Sequence, residues 1–126
     1  MQKLSTLAAM AVTLTLSAGL VAAQPELTIR GEVIDQSCYR KLGVEKGTGA
    51  AHLSCALDCA KKGQVLGILT DGDGLLKITG DYVANNNAKL IDYVGKYVEV
   101  SGTRDRFTDY SAAIKVTKIT AAKRPE

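Results

Sequence analysis

Residues 65–79 read VLGILTDGDGLLKIT and contain a strong β-hairpin signal. A short apolar run lies on each side of the Asp-Gly-Asp-Gly turn at 71–74, and such turn residues between apolar runs are typical of a hairpin. Residues 27–35 alternate between apolar and polar side chains, which predicts a half-buried strand before the hairpin. The patterns at 96–101 and 111–120 predict two further strands after it. The chain therefore carries five predicted strands.

Two helices are predicted between these strands. The first runs over about 49–62, with two lysines in its last turn and Gly63 in the position of a C-terminal glycine. The second lies within 81–94, where apolar side chains recur at helical spacing after three asparagines. The segment Gln36–Gly49 is rich in glycine and charge, and it is predicted to be a loop.

This order of elements favours a mainly β fold. Five strands, with one helix inserted after strand 1 and another between strands 3 and 4, match the five-stranded OB-like Greek-key barrel. The sequence also resembles small exported bacterial proteins of the OB-fold type, through GEVIDQSC at 31–38, HLSCALDCAKKG at 52–63, GKYVEVSG at 95–102 and AIKV at 113–116. The resemblance implies fold and location, and it transfers no catalytic residue.

The N-terminus has the pattern of a secretory signal. A short start with one cation, Lys3, precedes an apolar run that ends in small residues at Ala23, after which charged residues resume. We therefore expect a signal peptide over 1–23, an OB-like domain over 24–126 and a periplasmic or secreted protein. No other stretch is long and apolar enough to cross a membrane, so no membrane span is expected after cleavage.

Composition restricts the classes of partner. The 126 residues suffice for one globular domain, and the formal net charge of +3 is too small to indicate nucleic acid or an anionic membrane. OB-folds that bind single-stranded nucleic acid use exposed aromatic side chains, but this chain has no Trp and one Phe. Nucleic acid is therefore not expected as a partner, and the ligand or partner protein stays open.

The chain's one histidine and three cysteines form the pattern with the most chemical content. His52, Cys55 and Cys59 are spaced i, i+3 and i+7, which places them within an arc of roughly 60° on one helix. Cys38 follows the first strand and could fold back onto this stripe. Three thiolates and an imidazole suit zinc or copper, so Cys38, His52, Cys55 and Cys59 are candidate metal ligands.

Two other interpretations of the cysteines stay open. Cys38 could form a disulfide with Cys55 or Cys59 and staple the inserted helix to the barrel. A thiol redox protein is the third alternative, although the chain lacks a Cys-x-x-Cys motif. No Gly-x-Ser-x-Gly elbow is present, and no serine–histidine–aspartate arrangement stands out, so we expect a binding module and no enzyme.

Overall fold

The computed structural model describes residues 19–72, 74–106 and 112–126. Five strands and three α-helical segments are present among these residues. In chain order they are β1 Glu26–Asp35, α1 Gln36–Gly47, α2 Gly49–Lys61, β2 Leu66–Thr70, β3 Leu75–Thr79, α3 Ala84–Asn87, β4 Tyr97–Arg106 and β5 Ala112–Ala121. Short 3-10 turns at Asp81–Val83 and Ile91–Tyr93 lie on either side of α3.

The five strands form one mixed sheet that closes into a ring in the order β1-β2-β3-β5-β4. Neighbours are antiparallel except for β3 and β5, which are parallel. The hairpin predicted from residues 65–79 is confirmed, since Ile68 of β2 pairs with Leu76 of β3. The predicted sheet between strands 1 and 2 is also confirmed, because Val33 pairs with Ile68.

The length of β1 explains how the ring closes. The first part of this ten-residue strand pairs with β4 and its last part pairs with β2. Gly31 lies where the two pairings overlap, opposite both Thr70 and Val98. A Cβ atom at Gly31 would overlap the carbonyl oxygen of Leu69, so this close approach of β1 and β2 requires glycine.

The hydrophobic core lies inside the ring and continues beneath α2. Its strand residues point inward at alternate positions, as expected for a sheet with one buried face. The buried members of the core are Val33, Ala56, Ala60, Leu66, Ile68, Leu76, Ile78, Leu90, Val94, Val98, Val100, Ile114, Val116 and Ile119. None of the three cysteines belongs to this core, which therefore packs without them.

One prediction about the connections is wrong, and another is confirmed only in part. The segment Gln36–Gly49, predicted to be a loop, contains α1, which bends at Gly43 where φ is 74°. Few apolar residues mark this helix, and it begins because the Asp35 side chain caps its first turn. The helix predicted within 81–94 is present only as the single turn α3 between two 3-10 turns, because Asn85 and Asn86 adopt left-handed backbone angles that interrupt an α-helix.

The predicted signal peptide, residues 1–23, lies mostly outside the described residues. Residues 19–25 are described, and they are exposed and carry no regular secondary structure. Within the described ranges, every helix is too short or too polar to span a bilayer.

Candidate metal centre

The Sγ atoms of three cysteines lie close together where α1 contacts α2. Cys38 lies in the first turn of α1, and Cys55 and Cys59 lie one turn apart on α2. All three Sγ atoms are within 4.8 Å of one another, and the Sγ atoms of Cys38 and Cys55 are 4.0 Å apart. The expectation that Cys38 folds back onto the helix cysteines is confirmed. We call Cys38, Cys55 and Cys59 the cysteine cluster.

Asp35 positions the first of these cysteines. Its Oδ1 accepts hydrogen bonds from the backbone N–H groups of Ser37 at 2.7 Å and of Cys38 at 3.1 Å. The next residue, Gln36, donates its backbone N–H to the carbonyl of Val65 at 3.1 Å, which ties the start of α1 to the residue before β2. The backbone that carries Cys38 is therefore held by three hydrogen bonds that involve no sulfur.

Contacts at both ends hold the helix that carries the other two cysteines. At its start, the backbone N–H of Gly49 donates to Glu32 Oε1 at 2.6 Å. At its end, Asn87 Nδ2 donates to the carbonyl oxygens of Ala60 and Gln64, both at 2.9 Å, and so satisfies carbonyls at the helix C-terminus. The position of α2 therefore depends on these hydrogen bonds and on packing against the core. The helix in turn fixes the positions of Cys55 and Cys59.

The Asp35 carboxylate gives the cluster its electrostatic character. Asp35 is fully buried, and no N–H or O–H group of the described residues donates to its Oδ2. The neighbouring Asp35 carboxylate, together with burial, raises the pKa of Cys59 to about 12. Burial and the same carboxylate also raise the pKa of Cys38. Near neutral pH, both shifts favour the protonated form of these two thiols.

His52 lies apart from the cysteine cluster. It is 7% exposed, and it shares the buried side of α2 with Ala56 and Ala60, at i+4 and i+8. Its ring nitrogens do not belong to the set of ligand atoms that lie within 4.8 Å of one another. Its Nε2 atom is buried without a hydrogen-bond partner among the described residues. The assignment of His52 as a metal ligand stays a prediction.

The disulfide that the sequence suggested as an alternative is absent. All three cysteines are free thiols, and the 4.0 Å between Cys38 and Cys55 is far from the bond length of about 2.05 Å. The separation is close to that expected for ligands of one ion. With metal–sulfur bonds of about 2.3 Å, tetrahedral geometry spaces two sulfurs by roughly 3.8 Å. The arrangement can therefore hold a metal ion, and zinc is compatible with it.

Sequence reasoning missed Asp35 and Asn87 as supports of this site. An aspartate directly after a strand is a common helix cap, and this signal could have identified α1 and the placement of Cys38. No comparable signal in the sequence identified Asn87. Its backbone is left-handed, with φ of 60°, and the helix to which it donates is distant in sequence.

Comparison of the chain with protein-family models, curated proteins and solved structures finds no match. The chemistry of the site therefore rests on its own geometry.

Proposed function

We propose that the protein is an exported, non-enzymatic OB-like binding module that holds one soft metal ion, zinc or copper(I), on Cys38, Cys55 and Cys59. The observation that carries the proposal is the mutual proximity of three free sulfurs, all within 4.8 Å of one another. Thiolates are the side chains that bind zinc and copper(I) most readily.

The ring order supports the OB-like part of the proposal. In the OB topology the third strand pairs with the fifth, and the fourth closes against the first, as in the order β1-β2-β3-β5-β4. The inserted helices α1 and α2 follow β1, and α3 lies between β3 and β4.

The N-terminal pattern supports export, and export strengthens the case for a metal. Neighbouring free thiols are readily oxidised outside the cytoplasm, where disulfides persist. An ion on the three sulfurs would occupy the electron pairs that an oxidant attacks and would keep the thiols reduced. Metal binding is therefore the role that best explains three close, reduced cysteines in an exported protein.

The electrostatics at Cys38 and Cys59 disfavour these two thiols as nucleophiles. A catalytic cysteine needs a lowered pKa, whereas the pKa values of Cys38 and Cys59 are raised. A bound metal ion favours the thiolate form instead, because a thiol releases its proton when it coordinates the cation.

A disulfide staple between α1 and α2 is the second candidate. It is favoured by the 4.0 Å between Cys38 and Cys55, a gap that a small approach of the two helices would close. In that case the protein would be a structural or interaction domain, with Cys59 as its spare thiol.

Metal stoichiometry separates the two candidates. We expect the reduced protein to retain one zinc or copper(I) ion per chain after gel filtration, and Cys38→Ser, Cys55→Ser and Cys59→Ser each to weaken retention at least tenfold. Ser54→Ala, an exposed neighbour on α2, is the matched control and should retain the ion. Equal retention by all four variants would contradict the proposal.

A further inference from the structure

We infer that the cysteine cluster is an open, three-coordinate site for copper(I), from which a thiol-bearing acceptor removes the ion by direct ligand exchange on the side of Cys55. This inference rests on the proposed metal site and specifies its metal and its use. The ion is then a cargo, and the fold does not depend on it.

The number of ligands favours copper(I). Among the described His, Cys, Asp and Glu side chains, the three sulfurs form the only group of three or more possible ligand atoms that all lie within 4.8 Å of one another. Structural zinc sites take four protein ligands, whereas copper(I) is a soft ion that thiolates select. The 4.0 Å between the Sγ atoms of Cys38 and Cys55 is also compatible with trigonal geometry, in which bonds of about 2.3 Å space the sulfurs by roughly 4.0 Å.

The site is open on one side. Cys55 is exposed, while Cys38 and Cys59 are half-buried. The buried Asp35 carboxylate, whose Oδ1 accepts the backbone N–H of Cys38, lies on the inner side. An acceptor can therefore approach an ion on the three sulfurs from the side of Cys55, and the interior of the protein blocks the opposite side.

The fold positions the cysteine cluster but does not depend on it for stability. The core contains none of the cysteines, Asp35 and Glu32 of β1 hold the starts of α1 and α2, and Asn87 of α3 holds the end of α2. An ion can therefore leave without unfolding the protein. This differs from a structural metal, whose binding energy is folding energy.

The exchange step balances without a redox partner. The acceptor thiol loses its proton and forms a new bond to copper(I), while the bond between copper(I) and the Cys55 sulfur breaks. The Cys55 thiolate takes up a proton, and copper remains in the +1 state throughout. Repetition of the step at Cys38 and Cys59 completes the transfer.

The rate law of transfer tests the open site. The full protein is loaded anaerobically with one equivalent of copper(I) and mixed with bathocuproine disulfonate, a copper(I) chelator whose complex absorbs visible light. Direct attack at an open position predicts a transfer rate proportional to chelator concentration. A rate that is independent of chelator concentration would show that the ion leaves a closed site first, and it would overturn the inference.

A pair of variants tests the side of approach. Ala51 lies one turn before Cys55 on the same face of α2, whereas the neighbouring Ala50 points about 140° away from Cys55, and both are exposed. We expect Ala51→Trp to slow transfer at least threefold and Ala50→Trp to leave it unchanged. Equal rates for the two variants would overturn the assignment of the Cys55 side.

X-ray absorption at the copper edge separates this inference from the proposed function. Three sulfur neighbours and no nitrogen would support the open site, and a nitrogen neighbour would overturn it while leaving a metal site in place. Failure of the protein to bind any copper(I) or zinc would overturn the proposed function together with this inference.

Discussion

The sulfur atoms of Cys38 and Cys55 lie 4.0 Å apart, although the two residues belong to different helices and are separated by 17 positions in the chain. The distance is too long for a disulfide and close to the spacing of two ligands on one ion. The capping of α1 by Asp35 and the fixing of α2 at both ends hold the two helices in this arrangement through hydrogen bonds that involve no sulfur.

Metal binding should therefore stabilise the protein without being required for folding. We expect the circular dichroism spectrum to be the same with chelator and with metal. The free energy of unfolding should rise by about 2.7 kcal/mol when the free metal concentration is a hundred times its dissociation constant. Thermal unfolding followed in both conditions measures this. Cys59→Ser should lose the metal-dependent increase, and a protein that unfolds in chelator would contradict a preformed cluster.

Asp35→Asn should make Cys59 more reactive in the metal-free protein. A pKa of about 12 in place of the usual 9.0 lowers the thiolate fraction of Cys59 at pH 8 by roughly a thousandfold, and the thiolate is the form that reacts. Asparagine caps helices about as well as aspartate but carries no charge. We expect alkylation of Cys59 by iodoacetamide, followed by peptide mass spectrometry, to become at least tenfold faster.

Asp58→Asn is the control for this experiment. Asp58 is an exposed carboxylate on α2, adjacent in sequence to Cys59. Its neutralisation should leave alkylation of Cys59 nearly unchanged, because water screens an exposed charge. Equal acceleration by the two variants would show that Asp35 has no special role.

Asp71→Asn should lower the pKa of Tyr97. The Tyr97 hydroxyl donates a hydrogen bond to Asp71 Oδ2, and this bond raises the pKa of Tyr97 above its usual 10.0. The stabilisation by this bond is complete below the ordinary tyrosine pKa and is lost as the pH rises through the raised value. Ultraviolet titration of the tyrosines should show one group ionising earlier in the variant, and an unchanged titration would contradict the bond.

Gly31→Ala should destabilise the ring. The added methyl group would overlap the carbonyl oxygen of Leu69, and the strands would have to separate at the point where β1 joins both of its neighbours. We expect a loss of about 1 to 3 kcal/mol in urea unfolding, typical of an overpacked core position. Gly72→Ala is the control, because no atom lies within 4 Å of its added Cβ. Equal losses in the two variants would refute the close approach at Gly31.

The strands could be predicted because their patterns are local. Alternation along 27–35 and the turn at 71–74 depend on neighbouring residues alone, and the observed β1 and β3 agree with them to within a residue. The helix α1 could not be found by the same criterion. Its residues have little apolar periodicity, and its stability depends on one capping side chain, Asp35.

The candidate site was predictable only in part, for a similar reason. Helical spacing identified Cys55 and Cys59 as neighbours, and Cys38 was their only other possible sulfur partner. The same spacing added His52, which lies on the buried side of α2 with Ala56 and whose assignment as a ligand stays a prediction. Which side of a helix faces the ring depends on packing, and periodicity could not separate a residue at the edge of the stripe from one inside the core.

The most direct test of the metal centre is the intact mass of the protein, measured natively and then after denaturation with thiol alkylation. With one equivalent of copper(I) or zinc, the account predicts a native mass that includes one ion per chain. It also predicts that Cys38, Cys55 and Cys59 resist alkylation until the ion is removed. A chain two hydrogen masses lighter and free of metal would show a disulfide, and three thiols that alkylate at the same rate with and without metal would contradict the shared site.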